Sequence, residues 1–183
     1  MFELLFPFFL LVLVFLFLTI IWRINARKYI SSGTVASAYD AWTQDKLLER
    51  LWGEHIHLGF YPSGKKNIDF RKAKVQFVHE LVKWSGLDKL PKGSRILDVG
   101  CGIGGSSRIL AEYYGFNVTG ITISPAQVKR ARELTPHELN CNFQVMDALD
   151  LKFEDGSFDA VWSVEAGAHM NDKTRFADEM LRT

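Results

Sequence analysis

The most informative stretch of the sequence is a glycine-rich segment between a β-type run and a helical pattern, Ile96-Leu97-Asp98-Val99-Gly100-Cys101-Gly102-Ile103-Gly104-Gly105. Glycines at a strand-to-helix turn let the backbone bend sharply and approach a ligand without an intervening Cβ atom. Gly100, Gly102 and Gly105 satisfy the dinucleotide pattern G-x-G-x-x-G, which alone is a weak signal. The segment therefore predicts a nucleotide-like ligand, and a dinucleotide-dependent dehydrogenase is one candidate.

Two positions near this loop argue against a dinucleotide. Asp98 lies two residues before Gly100, where a carboxylate would repel a pyrophosphate but would favour a ligand with a cationic end. Dinucleotide sites also use an acidic residue at the end of the second strand to bind the ribose, and that position holds Thr122. These residues favour a cationic nucleoside ligand over a dinucleotide.

The elements that must position the loop alternate between β-type and helical patterns. Strands are predicted at Ser94–Val99, Phe116–Ile123, Asn142–Met146 and Phe158–Ser163. Helices are predicted at Tyr39–Leu51, at Ile68–Trp84 (ending at Gly86), from about Ser106 to Tyr114, from Ser124 and from near Asn171. Strand and helix alternating at this spacing indicate an α/β fold, with a parallel sheet of right-handed βαβ units.

The N-terminal segment has a different composition. Leu4 to Trp22 is almost wholly apolar and would give about 28 Å of helix, close to the thickness of a bilayer core. The cations Arg23, Arg27 and Lys28 follow it, and these predict a retained anchor with the rest of the chain on the cytoplasmic (or stromal) face. A cleaved signal peptide and an interfacial helix are the alternatives. The predicted organisation is an anchor with its basic flank at 1–28, a linker at 29–38 and one soluble domain at 39–183.

Composition excludes several other classes of protein. The formal net charge of +1 argues against nucleic acid as a partner. Cys101 and Cys141 have neither the number nor the spacing of a disulfide framework, which favours a reducing compartment. His55 and His57 have no third ligand at a recognisable spacing, so no metal site is predicted.

Several segments together resemble the class I methyltransferases, in the branch that holds tocopherol, sterol and cyclopropane-fatty-acid enzymes. The resemblance runs from about Val35 to Thr183. Its segments are Tyr39-Asp40-Ala41-Trp42, Trp52-Gly53-Glu54-His55-Ile56-His57-Leu58-Gly59, Leu97 to Ser107, Gly120-Ile121-Thr122-Ile123-Ser124-Pro125, and Trp162-Ser163-Val164-Glu165-Ala166-Gly167-Ala168-His169-Met170.

This resemblance implies a Rossmann-like, three-layer αβα fold with a mostly parallel sheet, and S-adenosylmethionine as the cofactor. Within the branch, the segments are most similar to methyltransferases of tocopherol and plastoquinone biosynthesis. These imply C-methylation of a lipid-soluble prenylated benzoquinol at a photosynthetic membrane. A sterol or a tocopherol-like ring is the alternative acceptor.

Length separates this chain from its family. Such enzymes normally build seven strands, and only four are predicted here. We therefore expect a fragment that ends inside a helix and leaves its fourth strand at the edge of the sheet. A membrane-tethered module that binds the cofactor without transferring a methyl group is the matching alternative.

The resemblance also assigns cofactor residues. Asp98 with the backbone of Gly100, Cys101, Gly102 and Gly104 is expected to hold the methionine part. Thr122 and Gln127 are expected to bind the ribose, although Gln127 also completes a helix-capping pattern that begins at Ser124. Asp147 and Ala148 are expected at the adenine, with a plain surface turn as the alternative for Asp147.

The methyl acceptor needs a second set of residues. A phenolic ring carbon is a good nucleophile only when the neighbouring hydroxyl gives up its proton, so the site needs a base. Glu165 and His169 follow the fourth strand, at the sheet edge where α/β proteins bind ligands. We expect these two in the substrate pocket, with His57 and Tyr39 closing over the cofactor; packing or solvent exposure is the alternative for each histidine.

Overall fold

The computed structural model describes residues 12–19, 32–63 and 67–183. The helices are α1 (Ser32–Gln44), α2 (Leu47–Trp52), α3 (Phe70–Ser85), α4 (Gly105–Tyr114), α5 (Pro125–Leu134) and α6 (Lys173–Arg182). The strands are β1 (Arg95–Val99), β2 (Asn117–Thr122), β3 (Cys141–Val145) and β4 (Ala160–Trp162). Short 3-10 helices occupy Leu87–Lys89 and Gly167–His169.

The four strands form one parallel sheet in the order β3-β2-β1-β4. The predicted α/β fold with a parallel sheet is confirmed, and the predicted strands agree with the observed ones to within two residues. Strand β4 pairs with β1 alone in the part of the chain that the structure describes, so it lies at the edge as expected. Asp98, at the carboxyl end of β1, is in register with Gly120 on one side and Trp162 on the other.

Alternating side chains of β1 build the core on both faces of the sheet. Ile96 packs with Val78 and Val82 of α3 and with Leu110 of α4. Leu97, one residue later, points to the opposite face. It packs there in a second cluster with Val99, Ile121, Ala148, Leu151 and Phe176.

Helix α1 corrects two predictions about the N-terminal region. It begins at Ser32, so residues 32–38 are helical where a linker was predicted. The helix predicted at Tyr39–Leu51 is two helices, because Lys46 adopts a left-handed conformation (φ 54°) between α1 and α2. Helix α1 packs along α5, and this tertiary contact explains why a stretch with linker-like serines is helical.

One carboxylate fixes α1 on the sheet domain. Asp40 Oδ1 accepts hydrogen bonds from Ser124 Oγ (2.5 Å) and from the backbone N–H of Ala126 (3.0 Å), at the start of α5. Free N–H groups at a helix N-terminus favour a negative charge. Asp40 therefore caps α5 from a different helix, beside the local cap in which Ser124 Oγ accepts from Gln127 N.

The predicted membrane span, Leu4 to Trp22, lies largely outside the described residues. Residues 12–19 are helical, and the side chains of 12–18 are exposed. Within the described ranges, no helix is both long and apolar enough to cross a bilayer. The predicted transmembrane helix is therefore not confirmed, and the basic flank after it lies outside the described residues.

The Asp40 contact can be tested by substitution. We expect Asp40→Ala to lower the free energy of unfolding by about 1–3 kcal/mol, because two donors at a helix N-terminus lose their acceptor. In the Asp40→Ala variant, amide hydrogen exchange should accelerate more in α1 than in the strands, relative to the unaltered protein. Asp178→Ala, which removes an exposed carboxylate from α6, is the matched control. Equal destabilisation by both changes would contradict this role of Asp40.

Candidate active site

A cavity of about 500 Å³ opens at the carboxyl ends of the strands. It lies where α/β sheets bind ligands, beside the loop that leaves β1. Its wall includes all but one of the residues singled out from the sequence: Tyr39, His57, Asp98, Gly100, Cys101, Gly102, Thr122, Gln127, Asp147, Ala148, Glu165 and His169. The exception is Gly104, whose absent Cβ would lie 2.7 Å from the ring of Phe143 rather than in the cavity.

The glycine loop is held against β2 by its backbone. The N–H groups of Gly100 and Cys101 both donate to the carbonyl oxygen of Ile121, each at 2.9 Å. Gly100 has φ 80°, and a Cβ there would stand 2.4 Å from the Cβ of Ala166. Gly102 has φ 57°, but a Cβ there would meet no atom within 4 Å. Gly100 is therefore required for packing, whereas the open side of Gly102 lets a ligand approach the backbone.

Asp98 is a buried carboxylate in the wall of this cavity, with 2% of its surface exposed. Burial raises its pKa to about 6, although the hydrogen bond that Ser107 Oγ donates to its Oδ2 at 2.6 Å opposes the shift. A buried carboxylate is stabilised when a cation binds beside it. The site therefore matches a ligand with a positively charged end.

Thr122 and Gln127 contact each other in the cavity wall. Thr122 Oγ1 donates to Gln127 Oε1 at 2.7 Å, and both side chains are buried. The backbone N–H of Gln127 also donates to Ser124 Oγ, so the capping pattern read from the sequence is present in the structure. Asp147 behaves similarly: its Oδ1 accepts from Leu149 N at 2.9 Å in a local turn, and the residue also lines the cavity.

A hydrogen bond joins the N-terminal helix to the loop after β4. The phenolic oxygen of Tyr39 lies 3.0 Å from His169 Nε2, with the two rings in an edge-to-face arrangement. Burial raises the pKa of Tyr39, and the nearby Glu165 carboxylate adds to the shift, so Tyr39 stays a neutral phenol beside this histidine. Glu165, itself in a left-handed conformation (φ 56°), accepts from Leu58 N at 3.0 Å. The structure thus brings Tyr39, Glu165 and His169 to one side of the cavity.

The two histidines of the Trp52–Gly59 segment form a pair. His57 Nδ1 lies 2.8 Å from the carbonyl oxygen of Leu58, and His57 Nε2 lies 3.1 Å from His55 Nδ1. Burial lowers the pKa of both rings, that of His55 to about 3. His55 lines the cavity as well, although the sequence analysis gave it no role there.

Two buried cations hold this segment on the domain, and sequence reasoning missed both. Lys74 Nζ donates to the carbonyl oxygens of Trp52 (3.1 Å) and His55 (2.7 Å). Arg108 forms an ion pair with Glu54 and donates from Nη1 to Ile103 O at 2.8 Å. The sequence did hold a signal for both cations. Lys74 follows Ala73 on the apolar side of α3, and Arg108 lies next to the small residues Ser106 and Ser107 in α4.

Comparison with known proteins agrees with this geometry. Residues 97–183 match the family described as a methyltransferase domain. The chain carries a methyltransferase domain.

Individual relatives extend the similarity beyond that domain. The 2-methyl-6-phytyl-1,4-hydroquinone methyltransferase of Synechocystis sp. is 61% identical over 162 residues, which are 88% of this chain and 51% of that protein. The chloroplastic tocopherol O-methyltransferase of Arabidopsis thaliana is 43% identical, over 74% of this chain and 42% of that protein. The chain thus spans about half the length of the curated relatives it matches.

Among solved structures, the cyclase SpnF matches this chain with a TM-score of 0.73. It is 29% identical and covers 83% of this chain and 56% of its own. A cyclase on this fold shows that the fold alone does not fix the reaction. The argument for function therefore depends on the site and on relatives of higher identity.

The raised pKa of Asp98 predicts a pH-dependent stability. The native state keeps this proton up to about pH 6, whereas an unfolded aspartate releases it near pH 4. The stabilisation is therefore complete below about pH 4 and is lost as the pH rises through 6. Asparagine does not titrate, so the Asp98→Asn variant lacks this loss. We compare its free energy of unfolding with that of the unaltered, ligand-free protein. Between pH 4 and pH 7, this difference should shift by about 2–3 kcal/mol in favour of the variant.

Denaturant titrations at several pH values would measure this difference. Asp178→Asn, at an exposed position, should show no comparable rise. A difference for Asp98→Asn that stays constant with pH would mean that this carboxyl does not titrate in the window.

Proposed function

We propose that this protein uses S-adenosylmethionine to methylate a ring carbon of a prenylated benzoquinol of the 2-methyl-6-phytyl type. The observation that carries this proposal is the 61% identity with the Synechocystis enzyme over 88% of the chain. The match is long enough to include segments on every side of the cavity. The lower identity with a tocopherol O-methyltransferase makes a tocopherol-like ring the second candidate acceptor.

The cavity suits the proposed cofactor. Asp98 supplies a buried negative charge for the cationic methionine end, and Gly102 leaves its backbone open to contact. Gly100 and Cys101 complete that side, with Gly104 shaping the turn behind it. Thr122 and Gln127 supply polar atoms for the ribose. Asp147 and Ala148 are assigned to the adenine, since they follow β3 at the far side of the cavity.

Bound S-adenosylmethionine supplies a methyl group on a positively charged sulfur. The ring carbon of a bound quinol would form a bond to this methyl as the S–CH₃ bond broke, with the bonding pair going to sulfur. The ring hydroxyl must give up its proton for the carbon to become nucleophilic, and the methylated carbon later loses its hydrogen to restore the aromatic ring. The protein therefore has to orient the ring, accept protons and exclude water.

The residues after β4 are assigned to binding the methyl acceptor and accepting its proton. Glu165 and His169 line the same side of the cavity, and Glu165, bonded to Leu58 N through Oε1, keeps Oε2 as an atom that could take a proton. Tyr39 hydrogen-bonds His169 across the cavity from α1, and His57 lies beside Leu58, whose N–H donates to Glu165. We assign Tyr39 and His57 to closing the site, because both reach it from segments outside the sheet.

The proposed acceptor is a lipid, so a membrane attachment through Leu4–Trp22 belongs to the same proposal. Residues 12–18 support it, since their side chains are apolar and exposed. A tethered domain, from about residue 32 onward, would meet a prenylated quinol at the bilayer surface without extracting it into water. The charge pattern after the apolar run places that domain on the cytoplasmic or stromal face.

The proposed reaction is tested by incubating the protein with S-adenosylmethionine carrying a labelled methyl group. The acceptors are membranes that contain a prenylated benzoquinol, a tocopherol or a sterol. We expect label on a ring carbon of the benzoquinol, located by mass spectrometry of the product. Label found only in the sterol or only on a tocopherol would contradict the proposed substrate, and cofactor binding without labelled product would support the non-catalytic alternative.

The cofactor position is tested by two matched alanine substitutions. Gly102 and Gly156 both have positive φ (57° and 67°), and a Cβ at either would meet no atom within 4 Å. Each change to alanine should cost about 1–2 kcal/mol of stability, from the left-handed backbone alone. Gly102→Ala should also weaken cofactor binding about tenfold or more, because its methyl group narrows the approach to the loop. Calorimetry would measure both affinities, and equal affinities would contradict the assignment.

A further inference from the structure

The neighbours of the His55–His57 pair determine which ring nitrogens donate and which accept hydrogen bonds. His57 Nδ1 faces the carbonyl oxygen of Leu58 at 2.8 Å. A carbonyl oxygen only accepts, so His57 Nδ1 carries a hydrogen and donates it. His57 Nε2 faces His55 Nδ1 at 3.1 Å, and one of these two nitrogens must be the donor.

The protonation state of the pair decides that direction. His57 is 9% exposed and His55 is half-buried, with the cations Lys74 and Arg108 close by. Two imidazolium rings at this distance would repel each other, and burial lowers the pKa of both. A neutral imidazole has one N–H group, and that of His57 is already used at Nδ1. His55 Nδ1 is therefore the donor, and His55 Nε2 carries only a lone pair.

The ring of His55 borders the cavity. Its Nε2 has no hydrogen-bond partner within the part of the chain that the structure describes. The ring lies against the first residue of α4: a Cβ on Gly105 would be 2.8 Å from His55 Cε1. The ring is thus beside the glycine loop, on the same cavity wall as Asp98 and Gly102.

The surrounding charges favour a cationic donor. Arg108 is paired with Glu54, and the Lys74 ammonium is directed at backbone carbonyls of Trp52 and His55. The carboxylates of Asp98, which is buried, and of Glu165, which accepts from Leu58 N, also line the cavity. A ligand ammonium there would have a carboxylate for its charge and an imidazole nitrogen for one of its N–H groups.

We propose that His55 Nε2 is an acceptor for the α-ammonium group of S-adenosylmethionine, held in the acceptor tautomer by His57 and the Leu58 carbonyl. His55 touches the cofactor, and His57 is a positioning residue that acts through it. This assignment rests on the proposed cofactor, but it does not depend on which lipid is methylated. It gives the Trp52–Gly59 segment a cofactor-sensing role in addition to covering the site.

Binding of cofactor analogues tests the contact without turnover. The ligands are S-adenosylhomocysteine, its decarboxylated analogue, which keeps the ammonium, and its deaminated analogue, which keeps the carboxylate. His55→Leu should weaken the first two about 10- to 100-fold, the range for one hydrogen bond to a charged group. It should change the affinity of the deaminated analogue by less than about twofold. His55→Gln, whose amide offers one donor and one acceptor, should restore most of the loss.

Controls separate this contact from folding. His79→Leu removes a histidine that bonds Tyr114 Oη outside the cavity, and it should leave all three affinities unchanged. An equal effect of His55→Leu on the deaminated analogue would overturn the proposal. A raised KM for the quinol with unchanged cofactor affinity would also overturn it, because the nitrogen would then face the acceptor's hydroxyl. If the unaltered protein bound none of the three analogues, the proposed cofactor itself would be wrong.

The tautomers can be read directly from imidazole nitrogen chemical shifts in the labelled full-length chain. Both rings should be protonated at Nδ1 and unprotonated at Nε2, and S-adenosylhomocysteine should shift His55 Nε2 much more than His57 Nε2. His57→Phe should return His55 to a mixture of tautomers while leaving its ring in place. A hydrogen found on His55 Nε2 in the unaltered protein would overturn the assignment.

Discussion

The buried carboxylate of Asp98 is the constraint on which the site depends. It lies one residue before the end of strand β1, between Gly120 and Trp162, and its pKa is raised because a buried charge has lost its hydrating water. Ligand-free protein therefore has a destabilised carboxylate whose charge a cationic ligand would relieve. The glycine loop begins two residues later, and its backbone is tied to Ile121 of β2. The sheet register thus fixes both the charge and the loop that approaches it, and the cavity follows from their positions.

The second half of the site is built from segments that do not belong to the sheet. Helix α1 is held by Asp40 at the start of α5, and the Trp52–Gly59 segment is held by Lys74 and Arg108. These are polar contacts from one side chain to several partners, with little apolar burial around α2. Such contacts fix orientation but add less stability than a packed core. The cover of the site can therefore open at lower cost than the sheet, which a ligand that binds beneath it requires.

The sequence could predict the sheet because its signals are local. The short, continuously buried run of β1, the Gly100–Gly105 turn and the cap at Ser124 each specify structure within a few residues. The N-terminal region was predicted less well, because its conformation depends on distant partners. Residues 32–38 are helical through packing on α5, and the break at Lys46 has no proline or glycine to announce it. The role of His55 was missed for the same reason: its tautomer is set by His57 and its position by Gly105, fifty residues away.

The different ways in which the two halves are held also bear on specificity. In the proposed site, the loop that follows β1 would contact the cofactor mainly through its backbone, so it could serve any acceptor chemistry that uses the same cofactor. A cyclase resembles this chain in structure, and two kinds of methyltransferase resemble it in sequence. What distinguishes them must therefore lie in the side chains that face the acceptor. In this chain Tyr39 from α1 bonds His169, and Leu58 of the covering segment bonds Glu165. Each of the two groups after β4 that we assign to the acceptor is thus held by a partner from the N-terminal cover. A change in that cover would alter the chemistry presented to the acceptor without altering the cofactor loop, which is how one fold can keep its cofactor and change its substrate.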